Sequence, residues 1–340
     1  MLLFIFFLTA VFSLINSYLI EKFSLKYLFL DTPSDRSFHK MPTPTAGGLA
    51  ILISYFIYFL MLSNFIDIYT EPLLILLISL IPIVTIGLID DYKEINIFTR
   101  LAVQILVASF FVYYFQIYEV SFTGNIYSQS SIIIIFLSIL LSVWLMNLYN
   151  FMDGIDGYAS IECIFVSLSS ALIVYLNNPE NLIYLYLLGL GFSAIGFICR
   201  NWHPAKIFMG DTGSVGIGCI FAFFVIYTGN EAIISIYTWL ILLSVFISDA
   251  TYTLFVRIVT KKNFSKPHLT HGFHIITETK NSQLITIKSL IAINIAWVLP
   301  LALLSNYFAN YHIIITFITY LPLTLYLIKV GAGLENRTSK

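Results

Sequence analysis

The feature that most constrains this chain is a succession of apolar runs, each close to the ~20 residues a helix needs to cross a bilayer. The first reads "LLFIFFLTAVFSLINSYLI". About eleven candidate spans follow from the whole sequence: Leu2–Ile20, Gly48–Ser63, Leu73–Ile89, Leu101–Tyr118, Ile132–Asn150, Tyr158–Tyr175, Leu182–Cys199, Ser214–Tyr227, Ala232–Val256, Leu284–Leu304 and Ile313–Ile328. Only 10% of the residues are charged, against about 25% in soluble domains. A chain this apolar cannot hide its surface from water by folding on itself. The expectation is an all-α integral membrane protein, one polytopic domain over residues 1–340 with no separate soluble domain. The first run lacks a basic leader and a small-residue cleavage site, so it reads as a retained span. The eighth run is short and Gly-rich, which predicts packing against other helices rather than lipid. Cys163, Cys199 and Cys219 fall in apolar runs without metal-site or disulfide spacing and read as small core residues.

The cations sort by side. With eleven spans the loops alternate, and all 17 Lys and Arg residues fall on one side. They are Lys22, Lys26, Arg36, Lys40, Lys93, Arg100, Arg200, Lys206, Arg257, Lys261, Lys262, Lys266, Lys280, Lys288, Lys329, Arg337 and Lys340. The opposite loops carry Asp67, Glu71, Glu119, Glu180 and Glu231 and no base. The positive-inside rule makes the basic side cytoplasmic, the N-terminus external and the C-terminus cytoplasmic. The same side holds nearly all the acids, amides and histidines able to do chemistry. A transporter would carry them at membrane depth. A membrane-embedded enzyme that meets a soluble and a lipid substrate would carry them at the interface.

Four stretches carry that chemistry. Asp90-Asp91-x-x-Glu94 ends an apolar span, where adjacent carboxylates repel. A divalent cation would relieve them; the plainer reading is a solvated helix end with Lys93 and Arg100 as counter-charges. Asn147, Asn150 and Asp153 step by three around the end of the fifth span, followed by Gly154, Asp156 and Gly157. They could read a nucleobase or ribose or hold a metal; the alternative is an Asx-rich turn with Asp156 capping the sixth helix. "GDTGS", Gly210 to Ser214, opens a span with small residues and amides, an anion site in principle, with Asp211 either at a metal or as a cap. Finally, His268, His271 and His274 lie three apart, on one helix face or in a loop that gathers imidazoles. His312 lies on the external side, where no role is expected.

With these residues in view, the chain resembles the polyprenyl-phosphate N-acetylhexosamine-1-phosphate transferases of glycosyltransferase family 4, which include the phospho-N-acetylmuramoyl-pentapeptide transferase. The resemblance runs from Asp31 to His274 and follows the order "TPTAGG", "DDYKE", "NLYNFMDGIDGYA", "NWHPAKIFMGDTGS", then a His-bearing loop. It implies transfer of a sugar 1-phosphate from a UDP-N-acetyl amino sugar to undecaprenyl phosphate with release of UMP, on the cytoplasmic face of a bacterial inner membrane. Peptidoglycan, O-antigen, capsule, lipopolysaccharide and teichoic acid synthesis begin with such steps. It implies Mg²⁺, with Mn²⁺ as the alternative, held by Asp211 with Asp91 close by. Asp90 becomes a candidate base on the lipid phosphate, although a phosphate monoester is already largely ionised at pH 7. Asn147, Asn150, Asp153, Asp156, Asn201 and Phe208 fall to the donor, with Phe208 stacked on uracil and Lys40 and Thr45 at the nucleotide end. His271 takes the donor phosphate ahead of His268 and His274. The resemblance implies a homodimer and no nucleic acid partner.

Two departures matter. Glu94 stands where many members have Asp, and "HLTHGFHI" replaces a cluster of adjacent histidines. A subgroup that handles 6-deoxy amino sugars has a related HxxH pattern, so GlcNAc or a deoxy sugar such as FucNAc or QuiNAc fits better than the pentapeptide donor. The alternatives are a CDP-alcohol phosphatidyltransferase, whose Arg after the first Asp-Gly and later Asp pair are missing here, and a transporter or flippase. Asp249, inside the ninth span, sustains the transport reading, although its place about two turns before Arg257 lets it border the same site.

Overall fold

The computed structural model describes residues 1–27, 29–33, 38–66, 71–93, 95–115, 132–262 and 268–335. Arg36, Asp67, Glu94, Glu119, Lys266, Arg337 and Lys340, all used above, lie outside the described residues.

The described chain is helical apart from a two-stranded antiparallel ribbon. Its helices are α1 (Leu2–Tyr27), α2 (Leu49–Leu62), α3 (Glu71–Tyr92), α4 (Ile97–Tyr114), α5 (Ile132–Met152), α6 (Tyr158–Asn177) and α7 (Ile183–Asn201). They continue with α8 (Gly210–Asn230), α9 (Ile236–Leu242), α10 (Ser244–Val259), α11 (Gly272–Lys280), α12 (Gln283–Ile293), α13 (Leu299–Tyr307) and α14 (His312–Val330). A π-helical turn, Asn294–Val298, joins α12 to α13. β1 (Leu30–Asp31) pairs with β2 (Thr43–Pro44).

Among the described residues nine helices are long and apolar enough to cross a membrane, and a bent pair could make a tenth. The chain is a multi-pass membrane protein. Each expected span has a counterpart, but two differ from expectation. α2 has 14 residues, about 21 Å at 1.5 Å per residue and short of a ~30 Å hydrocarbon layer. The ninth run is not one helix: α9 and α10 meet at an angle of 79° around Leu243. The run offers no Gly or Pro there, so nothing in its composition marks the bend.

α8 is the axis of the bundle. It is longer than its sequence suggested, 21 residues from Gly210, and 89% of its membrane-length window is buried. α2, α3, α4 and α5 pack around it. Its small residues bring neighbours to backbone contact. A Cβ on Gly213 would lie 2.5 Å from Gly48 Cα, and one on Gly218 would lie 2.6 Å from Leu145 O. Peripheral helices turn large apolar side chains outward, as in Leu3 and Phe4 of α1 and Ile313 and Phe317 of α14. In a bilayer these are lipid-facing positions, where exposure costs nothing. Cys163 and Cys219 are buried as expected; Cys199 is exposed on α7.

Candidate active site

The polar loops meet at one end of the bundle. Three helix ends build the first half of the site: the C-terminus of α3, the C-terminus of α5 and the N-terminus of α8. Gly87 lets α3 approach, since a Cβ there would lie 2.6 Å from Thr212 Cα. Asp91 then closes the join. Its Oδ1 accepts the Asp211 N–H at 2.8 Å; its Oδ2 accepts the Thr212 N–H at 3.1 Å and the Thr212 hydroxyl at 2.6 Å. Gly210 precedes them with φ +74°, and a Cβ on it would strike Asp91 Oδ1 at 2.6 Å. This corrects the expectation of open amides in "GDTGS". The anion at the α8 N-terminus is Asp91 itself, where the aligned peptide dipoles favour negative charge. Asp211 is not the cap; Asp91 caps α8 from another helix. Asp91, expected beside the metal, has both oxygens on the first turn of α8, Oδ1 with Asp211 and Oδ2 with Thr212.

Asp90 points the other way around α3. Its Oδ1 accepts the Ile95 N–H at 2.6 Å, and its Oδ2 pairs with Arg100 of α4. The same Arg100 Nη1 donates to Asp211 Oδ2 at 2.6 Å. Asn150 completes this half, donating from Nδ2 to Asp211 Oδ1 at 2.8 Å and to the Ser214 hydroxyl at 3.3 Å. Arg100 pairs with Asp90, as its reading as a counter-charge to the acidic pair expected. Its bond to Asp211 makes it a central member of the site, which the sequence did not indicate.

The expected donor residues divide. Asp153 lies beside the carboxylates, and burial, with Asp211, Asp91 and Asp156 near it, pushes its carboxyl well above the ordinary range. Asn147 turns to α4, where it donates to Gln104 Oε1 at 2.6 Å. Asp156 does not cap α6. Gly157 does, at φ +71° and without a side-chain bond. Asp156 Oδ2 instead meets His203 Nδ1 at 2.7 Å and accepts the Ala205 N–H at 3.0 Å. Asn201 is 2% exposed, accepts from Ser160 at 2.7 Å and donates to Ile207 O at 3.0 Å. Asp156 and Asn201 therefore shape the 202–208 loop. Phe208 sits on that loop, with its N–H donating to Pro44 O at 2.8 Å and its ring edge-on to His39 at 4.9 Å. Thr45 is buried nearby and Lys40 is exposed.

The second half is the His loop. Only His274 lies within a helix; His271 is the N-cap residue of α11 and His268 precedes it in the loop. The three still gather: His271 is 5.0 Å from His268 and 5.8 Å from His274, ring to ring. Burial, with His271 and Arg257 beside it, pushes His268 down to about 4. Asp249 is 4% exposed and lies against this loop, with Oδ1 accepting the Gly272 N–H at 2.7 Å. The two halves touch at Gly154, where a Cβ would lie 2.6 Å from His274 Nε2. Phe38 also stacks on His274 at 5.8 Å, which ties in the 38–48 segment.

The family model described as "Glycosyl transferase family 4" matches residues 73–229, from α3 through α8. A Bacillus subtilis protein named as a probable undecaprenyl-phosphate N-acetylglucosaminyl 1-phosphate transferase is 30% identical over 268 residues, covering 77% of this chain and 73% of the relative. Phospho-N-acetylmuramoyl-pentapeptide-transferases of Prochlorococcus marinus and Staphylococcus saprophyticus are each 29% identical, covering 67% and 71% of this chain and 67% and 80% of their own. Since the matched span holds the carboxylate half of the site and the Bacillus alignment covers most of both chains, this chain belongs to glycosyl transferase family 4.

Proposed function

We propose that the chain is a polyprenyl-phosphate sugar-1-phosphate transferase of a bacterial cytoplasmic membrane. In the finer reading it moves a HexNAc 1-phosphate from a UDP-sugar to undecaprenyl phosphate and releases UMP. The observation that carries this is the junction of α3, α5 and α8, where Asp90, Asp91 and Asp211 share one end of the bundle with Arg100 and Asn150. In such a transfer a lipid phosphate oxygen bonds to the sugar-bearing phosphorus, the bond to the UMP oxygen breaks, and UMP carries away the electron pair. Catalysis is then mostly positioning and charge neutralisation.

The residues fit a magnesium ion. Their donors are hard oxygens: Asp90 and Asp211 share one guanidinium, with Asp91 and Asp153 near Asp211. Among the described residues no group of three or more His, Cys, Asp or Glu side chains is placed to hold a metal ion by itself, so substrate would have to supply part of the shell. Asp211 would hold the ion beside Asp90, with Asp91 fixing Asp211, and substrate phosphate and water would fill the rest of the shell. When bound, the ion would neutralise charge on the donor diphosphate. Arg100 supports the same end by spanning Asp90 and Asp211. Asp90 accepts the Ile95 N–H and pairs with Arg100, which makes it an electrostatic element more than a free base. Asp249 supports an enzyme rather than a transport path, since its oxygens serve the His loop.

The test is purified protein with Mg²⁺, undecaprenyl phosphate and a panel of UDP-HexNAc donors, read as UMP release. GlcNAc or a 6-deoxy HexNAc is the expected donor. Asp211→Asn should abolish release while thermal unfolding stays cooperative. Release that survives the change removes Asp211 from the metal assignment; silence with every donor removes the proposed reaction.

A further inference from the structure

Asp249 carries two tasks at once. It lies in the second turn of α10, just past the 79° bend. Its Oδ1 accepts the Gly272 N–H at 2.7 Å and its Oδ2 accepts the Phe273 N–H at 2.9 Å. Those are the first amides of α11, which need acceptors. The Thr253 hydroxyl reaches Oδ1 at 3.2 Å. His271, the residue before α11, sets its Nδ1 3.3 Å from the same Oδ1. An ionised carboxylate only accepts hydrogen bonds, so the nitrogen that faces it carries the proton. Nδ1 is committed to Asp249, and Nε2 has no hydrogen-bond partner among the described residues.

We propose that Asp249 is a positioning residue that fixes the tautomer and orientation of His271, so that Nε2 is presented to the phosphate groups of the donor. This rests on the transferase reading above and deepens it. The ring is otherwise held by flat neighbours: His268 at 5.0 Å, Phe273 at 5.8 Å and Phe151 at 6.5 Å. Phe151 follows Asn150, so the ring borders the helix end that reaches Asp211. The charged or titratable groups around it are Asp249, His268, His274 and, through Thr270, Arg257 with its partner Glu335. Arg257 and Glu335 pair with each other, which among the described residues leaves Asp249 as the carboxylate that addresses His271.

Asp249→Asn removes the charge. Its one oxygen best keeps the Oδ1 place, toward Gly272, Thr253 and His271, so the NH₂ group meets the Phe273 N–H. His271 Nδ1–H then faces a neutral acceptor, weaker than a carboxylate, and the ring is no longer held in one tautomer. The expected result is a kcat for UMP release lowered by about 100-fold or more, in the range of lost acid–base or electrostatic help from one imidazole, with KM for the donor changed by less than about 3-fold. In a His271→Asn background the same change should cost nothing further, because coupled groups are not additive. Histidine ¹⁵N spectra of the intact protein should show Nδ1–H at His271 and a mixture of tautomers in Asp249→Asn. A variant that loses only melting temperature, with kcat and the ¹⁵N pattern intact, would mean that Asp249 is merely a helix cap, and the proposal is overturned. If Asp249→Asn does not fold, the wild-type spectrum alone decides: an unprotonated Nδ1 overturns it. If no donor gives UMP, the transferase reading falls, and the loss of a single His271 tautomer still judges Asp249.

Discussion

Arg100→Met is the most informative single change to the carboxylate cluster. Methionine roughly keeps the length of the side chain and removes the charge. Arg100 Nη1 lies 2.6 Å from Asp211 Oδ2 and also pairs with Asp90. At charge separations of about 4 Å and an effective dielectric of about 20, each pair has a gross attraction of ~4 kcal/mol. The side chains of Arg100, Asp90 and Asp211 are 21%, 9% and 27% exposed, so hydration and dehydration costs cancel much of that. A net loss of about 2–3 kcal/mol is expected. In EDTA this should lower the melting temperature by on the order of 3–4 °C. Adding Mg²⁺ should narrow the gap to wild type, because a second cation replaces the missing one between the same carboxylates. Arg100→Lys should recover part of the loss, since one ammonium cannot reproduce the planar fork. The assay is thermal unfolding of the detergent-solubilised protein with and without Mg²⁺. Equal melting temperatures in EDTA, or a gap that Mg²⁺ leaves unchanged, would refute the reasoning.

Two further outcomes follow from groups away from that cluster. His268 is held near 4 in the folded protein by burial, His271 and Arg257, against about 6.5 when unfolded. Between those values the unfolded chain binds the extra proton, so stability should fall as pH drops from 6.5 toward 4. His268→Gln should flatten that part of a melting-temperature profile, and an unchanged slope would discount His268 as its source. Deeper in the bundle, Glu162 Oε2 accepts from Asn294 Nδ2 at 2.6 Å, while Glu162 Oε1 and Asn294 Oδ1 are buried without partners among the described residues. Glu162→Gln places an N–H opposite the Asn294 oxygen and should leave melting temperature equal or higher. Glu162→Leu strands the Asn294 amide and should cost about 1–3 kcal/mol.

Much of the fold was legible because lipid imposes a simple code: long apolar runs become helices, and polar loops sit at their ends. The bend at Leu243 was not legible, because an apolar run reads the same whether straight or broken. The site was legible in its inventory and less so in its wiring. Asp90, Asp91, Asn150 and Asp211 do meet. Yet Asp91 caps a helix that begins 119 positions later, and no local pattern announces such a cap. Asp156 and Asn201 carry the residue types expected of ligand groups, and the structure shows them also tying loop to helix, a role that only partners reveal. Arg100 was visible as a counter-charge to the acidic pair; its bond to Asp211 needed the packing of α4 against the bundle.

The clasp between α3 and α8 has a mechanical consequence. Bilayers of different thickness change the tilt of the helices within them. Here Gly87 sits on the Thr212 backbone and Asp91 grips the first turn of α8, so the two helices tilt as one lever. The span between Asp90 and Asp211 is fixed by main chain rather than by lipid. The outer helices can lean with the membrane while the spacing of Asp90 and Asp211 stays constant.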